Sequence, residues 1–214
     1  MEIGYWQHRW DTGQIGFHEG QPNELLAAHA RAFAGRRRVL VPLAGKSRDL
    51  VFLASLGLEV VGVEAVESAC RDFFEDNAIP HASQERDGWR SFSGGGITLM
   101  CGDMFAATPE VLGTFDALYD RAALVALQPS TRTHYLLTLA KLLEPRACLM
   151  LVTFHYDQEK LPGPPFSIDP QLARLLYQGY SFDNVVTRAV AAGPKFLEAG
   201  VEQVFESLLV MHAP

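Results

Sequence analysis

The chain has 214 residues, of which 48% are hydrophobic and 20% are charged, as expected for a soluble globular protein. Its formal net charge of -7 argues against a nucleic-acid partner, because nucleic-acid-binding surfaces usually carry a basic stripe. Its apolar runs are far shorter than the roughly 20 residues that span a bilayer, so no membrane partner is predicted. The length favours a single domain over residues 1–214.

The three cysteines, Cys70, Cys101 and Cys148, are widely separated and odd in number. Neither a disulfide framework nor a zinc site fits this pattern, and free thiols in a reducing compartment explain it better. Residues 1–10 are polar and aromatic and lack the apolar core of a signal peptide. We therefore predict a cytoplasmic protein with no metal site.

In chain order, the first half of the sequence alternates segments of helical spacing with apolar runs. Residues 22–34 are predicted to form a helix. Residues 80–96 are irregular, although Trp89 and Phe92 fit an edge hairpin with the strand that follows. The other predicted elements are a strand at 39–43, a helix at 48–56, a strand at 60–64, a helix at 66–77 and a strand at 97–101.

The second half continues this alternation. It predicts strands at 115–119, 148–154, 185–190 and 204–211, and helices at 130–143 and 170–177. Such a pattern indicates an α/β fold with a doubly wound, mostly parallel, seven-stranded sheet. Residues 1–35 are assigned to an N-terminal lid and helix, and residues 36–214 to the α/β core. Because ligands of such sheets bind outside the carboxyl ends of the strands, polar residues at strand ends are the candidate site residues.

The most informative segment joins the first two predicted strands. The first strand ends at Leu43 in a turn that contains Gly45, and the second strand ends on the carboxylate of Glu64. In nucleotide-binding α/β folds such a turn lets a ligand approach the backbone, and the acid accepts hydrogen bonds from ribose hydroxyls. The layout therefore predicts a site for an adenosine-containing ligand.

Three ligands compete for this turn. Gly45-Lys46-Ser47 is similar to the end of a P-loop, but Leu40 stands where a P-loop needs another glycine. NAD favours three glycines that pack its pyrophosphate against a helix, and this turn has one. S-adenosylmethionine needs the ribose acid but carries no phosphate, so it fits best. The alternative is a purely structural role, with Lys46 as a solvated side chain.

Two further strand ends carry charged residues. Asp103 follows the third strand, where it either binds an adenine amino group or caps a turn. Asp120 and Arg121 end the fourth strand. Arginine keeps its charge and offers a planar set of donors, which suits recognition of a carboxylate. We predict that Arg121 faces the ligand and that Asp120 orients it, and the alternative is an arginine paired only with Asp120 or another neighbouring acid.

The N-terminal segment carries Trp6 and Trp10 one helical turn apart, followed by Phe17 and His18. The two tryptophans lie outside the predicted sheet. They predict either a lid that excludes water from the site or a helix packed permanently on the core. His18 by itself is weak evidence of catalysis, because a lone histidine more often has a structural role.

These motifs occur together in an order that identifies a family. They are Trp6-x-x-x-Trp10, Ile15-Gly-Phe-His18, Pro42-Leu-Ala-Gly-Lys-Ser47, Gly62-Val-Glu64, Tyr119-Asp-Arg-Ala-Ala-Leu124, and Tyr156-Asp157 with Gly163-Pro-Pro-Phe166. As a set they closely resemble the thiopurine S-methyltransferase family, in particular its bacterial members, which are class I S-adenosylmethionine-dependent methyltransferases. The resemblance extends from Trp6 to Phe205.

The resemblance implies a Rossmann-like fold, S-adenosyl-L-methionine as cofactor and S-adenosyl-L-homocysteine as product. It also implies that the N-terminal segment closes over the cofactor. With the turn glycine included, the cofactor-binding set is Trp6, Trp10, Leu43, Gly45, Glu64, Asp103, Met104 and Arg121, and the substrate-binding set is Phe17, Arg121 and Lys195.

Three positions depart from the family pattern. Ala44 stands where many members have cysteine, a change between small residues that leaves the turn intact. The position of Asp103 is not always acidic in the family. Lys195 stands where the family has an arginine, so the positive charge is kept but the planar set of donors is lost.

The implied reaction is methyl transfer to a thiol or thione sulfur, such as that of a thiopurine, with selenium and tellurium species as further chalcogen acceptors. Aromatic thiols and thiones are appreciably ionised near neutral pH, so we predict no essential catalytic base. The protein then accelerates the reaction mainly by aligning the reactants and excluding water. We also predict that it is a monomer. Two other classes stay open: a non-catalytic S-adenosylmethionine-binding module, and a nicotinamide-dependent oxidoreductase that uses Glu64 but lacks the glycines.

Overall fold

The computed structural model describes residues 3–14 and 19–214, and these residues form a nine-stranded sheet. The strands, in chain order, are β1 (Arg38–Pro42), β2 (Glu59–Glu64), β3 (Ala82–Arg86), β4 (Trp89–Gly94), β5 (Ile97–Cys101), β6 (Phe115–Arg121), β7 (Leu143–His155), β8 (Ser181–Val190) and β9 (Val204–His212). Their order across the sheet is β3-β4-β5-β2-β1-β6-β7-β9-β8.

Helices connect most of these strands. They are α1 (Ile3–Asp11), α2 (Glu24–His29), α3 (Asp49–Ser55), α4 (Glu67–Asp76), α5 (Pro109–Leu112), α6 (Pro129–Leu142), α7 (Pro170–Leu176) and α8 (Pro194–Glu198). Asn23 is the N-cap of α2: its side-chain oxygen accepts hydrogen bonds from the backbone amides of Leu25 and Leu26. The five predicted helices are confirmed, the first of them continuing after α2 as a 3-10 helix over Ala30–Phe33, whereas the short helices α5 and α8 were not predicted.

The five central strands β5, β2, β1, β6 and β7 are parallel neighbours, and antiparallel pairs flank them on both sides. The prediction of a doubly wound α/β sheet is therefore confirmed. The count of seven strands is wrong, because β3 and β4 form an additional hairpin. The contact of this hairpin with the next strand, expected from Trp89 and Phe92, is confirmed by the pairing of β4 with β5.

The core lies on both faces of the sheet, as strand alternation requires. One face is built by residues such as Leu40, Val61, Leu118 and Leu149, and the opposite face by their neighbours Val39, Val60, Ala117 and Cys148. Within the described part of the chain, no helix is long and apolar enough to cross a membrane.

The strand order reverses between β1 and β6, which makes this point of the sheet a topological switch. Connections leave the two strands in opposite directions there, so a crevice opens outside their carboxyl ends. The residues at the ends of β1, β2 and β6 consequently come together at one edge. They include Leu43, Glu64 and Arg121.

Candidate active site

The turn after β1 has an unusual backbone. Leu43 has a φ of 46° and Gly45 a φ of 51°, both in the left-handed region that glycine adopts without strain. The Gly45 amide donates a hydrogen bond to Oε2 of Glu64 at 2.9 Å. Lys46 pairs with Asp76 on α4 at 2.6 Å, so its charge serves an ion pair between elements and no P-loop is formed.

Glu64 lies at the end of β2 with only 7% of its surface exposed. Its two carboxylate oxygens accept hydrogen bonds from the amides of Gly45 and Val66, each at 2.9 Å. Burial raises the pKa of Glu64, and these amides act in the opposite direction. Because a carboxylate offers about four acceptor positions, it keeps capacity for the hydroxyl groups of a ligand.

Gly62 lets β2 approach the turn closely. A Cβ atom at this position would lie 2.4 Å from Leu99 Cδ2 and 2.9 Å from the Cβ of Ala44. Such contacts are not tolerated in a close-packed interior. A larger side chain at Gly62 would therefore push the strand and the turn apart and break the contact between Glu64 and Gly45.

A cavity of about 420 Å³ adjoins Glu64 at the carboxyl edge of the sheet. It is lined mainly by apolar groups, with a few charged side chains among them. The lining residues are Trp6, Arg9, Trp10, Glu19, Leu43, Glu64, Arg121, Ala122, Val125, Ala126, Phe154, Pro164, Pro165, Gly193, Pro194, Lys195 and Phe196. This combination suits a ligand with an apolar body and a few polar or charged groups.

Helix α1 provides one wall of the cavity. Trp6, Arg9 and Trp10 are spaced three and four residues apart, so they share one face of the helix, and all three line the cavity. No residue of α1 is fully buried, which means that the helix lies outside the main core. A helix at the two tryptophans is confirmed, while its movement as a lid stays a prediction.

Arg121 is held by two acids. Its guanidinium forms an ion pair with Glu19, and Nη1 lies 3.9 Å from Oδ2 of Asp49. Burial opposes the charge of Arg121, but the two carboxylates outweigh it and raise the pKa of the guanidinium. Arg121 thus lines the cavity with a positive charge that Glu19 and Asp49 already compensate in part.

Asp49, the first residue of α3, is a buried acid of the site that the sequence analysis missed. Its carboxylate accepts hydrogen bonds from the Asn23 amide at 2.7 Å and from the Tyr119 hydroxyl at 3.0 Å. Only 2% of its surface is exposed. Its partners are distant in sequence, so no local motif could have revealed this role.

The predicted role of Asp120 is wrong. Successive residues of a strand point to opposite faces, so Asp120 points away from the side that carries Arg121. Its carboxylate accepts hydrogen bonds from the Leu124 amide at 3.0 Å and from the Tyr135 hydroxyl at 2.8 Å. Complete burial raises the pKa of Asp120 to about 6. Glu19 and Asp49 hold Arg121 instead.

The remaining predicted residues lie in different places. Lys195 lines the cavity, whereas the side chains of Asp103 and Met104 do not. Asp103 caps a short helical turn by accepting a hydrogen bond from the Phe105 amide at 3.0 Å, and Met104 packs in the core with 1% of its surface exposed. Their assignment to the cofactor stays a prediction. Phe17 lies outside the described residues.

Comparison with known proteins decides the family. The family model described as thiopurine S-methyltransferase matches residues 1–213. The chain belongs to the thiopurine S-methyltransferase family. It is 40% identical to the thiopurine S-methyltransferase of Pseudomonas entomophila (strain L48), over 96% of this chain and 97% of the relative. It is 43% identical to that of Gluconobacter oxydans (strain 621H), over 89% of this chain and 88% of the relative.

Solved structures agree with the methyltransferase fold. A S-adenosylmethionine-dependent methyltransferase from Anabaena variabilis superposes with a TM-score of 0.69 at 12% identity, covering 99% of this chain and 95% of its own. A Burkholderia thailandensis N1-methyltransferase with bound S-adenosylhomocysteine gives a TM-score of 0.63 at 16% identity, covering 99% and 87%. At these identities the likeness shows the fold alone.

As a member of the thiopurine S-methyltransferase family, the chain is a S-adenosylmethionine-dependent methyltransferase, and the geometry of its site fits this cofactor. The Glu64 carboxylate has acceptor capacity left for ribose hydroxyls, and the adjoining cavity is mostly apolar. The turn at Gly45 offers no cradle for a pyrophosphate, which agrees with a ligand that carries no phosphate. The residues present therefore match an adenosine attached to an amino acid through sulfur.

Proposed function

We propose that this enzyme transfers the methyl group of S-adenosylmethionine to the sulfur of small thiols and thiones, including thiopurines. Selenium and tellurium nucleophiles of similar size and charge are further acceptors in this proposal. The observation that carries it is the buried Glu64 carboxylate beside an apolar cavity whose outer wall is the tryptophan face of α1. This arrangement supports binding of adenosine next to a water-poor reaction space.

When bound, S-adenosylmethionine supplies an electrophilic methyl group on a sulfonium. The part of the protein is to hold the reactants in line and to keep water out, which can contribute several kcal/mol. Glu64 fixes the ribose end, Leu43 and Gly45 border the turn, and Trp6 and Trp10 exclude solvent from the outer side. These five residues, with Arg121, Asp103 and Met104, make up the proposed cofactor-binding set.

No essential base is part of the mechanism. The two acids that line the cavity among the described residues are both engaged, Glu19 with Arg121 and Glu64 with two backbone amides. Aromatic thiols and thiones ionise near neutral pH and need little help. Phe17, Arg121 and Lys195 are the proposed acceptor contacts, and the two cations favour an anionic acceptor.

Two other functions use the same residues differently. A non-catalytic module would bind S-adenosylmethionine without turnover, and a nicotinamide-dependent oxidoreductase would bind its dinucleotide through Glu64. Thermal-shift and calorimetric titrations with S-adenosylmethionine, S-adenosylhomocysteine, NAD and ATP separate these functions. We expect binding of the first two compounds only. Stabilisation by NAD instead would contradict the proposal.

The proposal includes a cytoplasmic monomer that acts on a small molecule and binds no nucleic acid. The net charge of -7 and the three free cysteines support it. Size-exclusion chromatography with light scattering tests the oligomeric state. A screen of radiolabelled methyl transfer to thiols, a thiopurine, selenite and tellurite tests the acceptor, and we expect transfer to aromatic thiols or the thiopurine.

A further inference from the structure

Arg9 is a charged residue of the cavity lining that has no part in the proposed reaction so far. It shares the cavity-facing side of α1 with Trp6 and Trp10, and Lys195 of α8 lines the same cavity. Two cations from different elements therefore border one largely apolar space. Their environment indicates what that space is built to bind.

Neither cation has an acidic partner among residues 3–14 and 19–214. Arg9 donates from Nη2 to the carbonyl oxygen of Gln14 at 2.7 Å and from Nη1 to the Tyr5 hydroxyl at 3.3 Å. Its buried Nε has no hydrogen-bond acceptor in this part of the chain. Lys195 donates from Nζ to the carbonyl oxygen of Pro164. All of these acceptors are neutral, so no acid of the described residues pairs with either positive charge.

Arg121 on the same cavity is different, because Glu19 and Asp49 compensate its charge. The other acid of the described lining is Glu64, and its oxygens accept hydrogen bonds from two amides. The negative charges of the site are thus committed to other groups. Among the described residues, the cations of the lining that form no ion pair are Arg9 and Lys195.

The two cations also act on each other. Burial lowers the pKa of Lys195, and the positive charge of Arg9 lowers it further. Like charges that border an apolar space repel, because such surroundings screen them poorly. An anion placed between them would relieve this repulsion and would accept hydrogen bonds from their remaining donors.

We propose that Arg9 and Lys195 form an anion subsite that selects methyl acceptors carrying a carboxylate or another negative group in addition to the reacting sulfur. The inference rests on the proposed function, because the occupant is the acceptor of that reaction. Arg9 belongs to α1 and Lys195 to α8, so an anion bound by both joins the two helices across the cavity. An anionic acceptor would thereby hold α1 against α8 and help to close the cavity around itself, whereas a neutral acceptor would not.

Two matched acceptors test the subsite. 4-Mercaptobenzoate and its methyl ester share the ring and the thiol, but only the acid carries a carboxylate charge. Arg9→Gln and Lys195→Gln should each raise the ratio of KM for the acid to KM for the ester about tenfold, the effect of one charge-assisted hydrogen bond. Arg9→Lys keeps the charge and should restore most of the selectivity. Arg86→Gln, on the exposed strand β3, is the control and should leave the ratio unchanged.

An unchanged KM ratio in both glutamine variants, in proteins that unfold at the parental temperature, would overturn the subsite, because a structural role alters both KM values alike. Calorimetry on the enzyme saturated with S-adenosylhomocysteine separates this result from failure of the proposed function. Binding of the acid that weakens in the glutamine variants supports the subsite even without methyl transfer. If the enzyme methylates the ester, and neither glutamine substitution changes its affinity for the acid, the subsite is wrong. The proposed function is then still supported.

Discussion

Arg121 and Asp49 face each other beside the cavity, with Nη1 of the arginine 3.9 Å from Oδ2 of the aspartate. Both side chains are buried, 7% and 2% exposed respectively. Asp49 also accepts hydrogen bonds from Asn23 and Tyr119, so it links the start of α2, the start of α3 and the end of β6. The ion pair therefore stabilises the cavity wall in addition to placing a cation on it.

We expect Arg121→Met to lower the free energy of unfolding by about 3 kcal/mol, because it leaves the buried carboxylate of Asp49 without a cation. Urea unfolding followed by circular dichroism measures this loss. Adding Asp49→Asn should recover part of it, since an amide needs no counter-charge. Arg71→Met is the control: its ion pairs with Asp72 and Glu75 are exposed and should contribute at most about 1 kcal/mol. Equal losses from the two arginine variants would contradict this account.

The Glu64 carboxylate should carry much of the affinity for the cofactor. Glu64→Ala is expected to weaken S-adenosylmethionine binding by about 1.5–3 kcal/mol, the range for a hydrogen bond to a charged group. Isothermal titration calorimetry gives the affinity directly. Glu59→Ala, at the exposed start of the same strand, is the matched control and should bind normally. If Glu64→Ala also binds normally, the ribose assignment is wrong.

Asp120 should make stability depend on pH. Its pKa is about 6 in the folded protein and about 3.9 in the unfolded chain, so the folded state binds more protons between these values. Its contribution to stability is therefore complete below about pH 4 and is lost as the pH rises through 6. Between pH 5 and 7 the parent should lose about 1 kcal/mol more than Asp120→Asn. If the free energy of unfolding changes equally with pH in the two proteins over this range, the raised pKa of Asp120 is ruled out.

The N-terminal helix should matter for turnover more than for folding. Removing residues 1–18 deletes α1, which has no buried residue, and leaves the sheet, whose first strand begins at Arg38. We expect a cooperatively folded domain with greatly reduced methyl transfer. Thermal unfolding and a turnover assay measure the two properties, and Trp10→Ala provides a milder version of the same change. A truncated chain that does not fold would favour a helix packed permanently on the core.

Local sequence signals predicted the part of the site that depends on neighbouring residues. The apolar strands, the turn at Gly45 and the acid at Glu64 follow one another closely, so their pattern alone predicted that turn and acid belong to one site. The same kind of signal located Arg121 at a strand end. Alternation along β6 would also have shown that Asp120 and Arg121 point to opposite faces.

Other features depend on contacts between distant segments and were not predictable in this way. Asp49 meets Asn23 and Tyr119 only in the folded chain, so nothing around it in the sequence distinguishes it from a helix-starting acid. Strand β3 is exposed at every residue and lacks the apolar alternation by which strands are recognised. Arg9 gains significance only because Lys195 lines the same cavity.

The central claim is methyl transfer from S-adenosylmethionine to sulfur, and one assay tests it most directly. The protein is incubated with S-adenosylmethionine that carries a radiolabelled methyl group and with an aromatic thiol or a thiopurine, and the products are identified by mass spectrometry. We expect a labelled S-methyl thioether and S-adenosylhomocysteine in equal amounts, with strongly reduced formation in Glu64→Ala at low cofactor concentration. Binding of S-adenosylmethionine by calorimetry without transfer to any thiol, thiopurine, selenite or tellurite would contradict the claim.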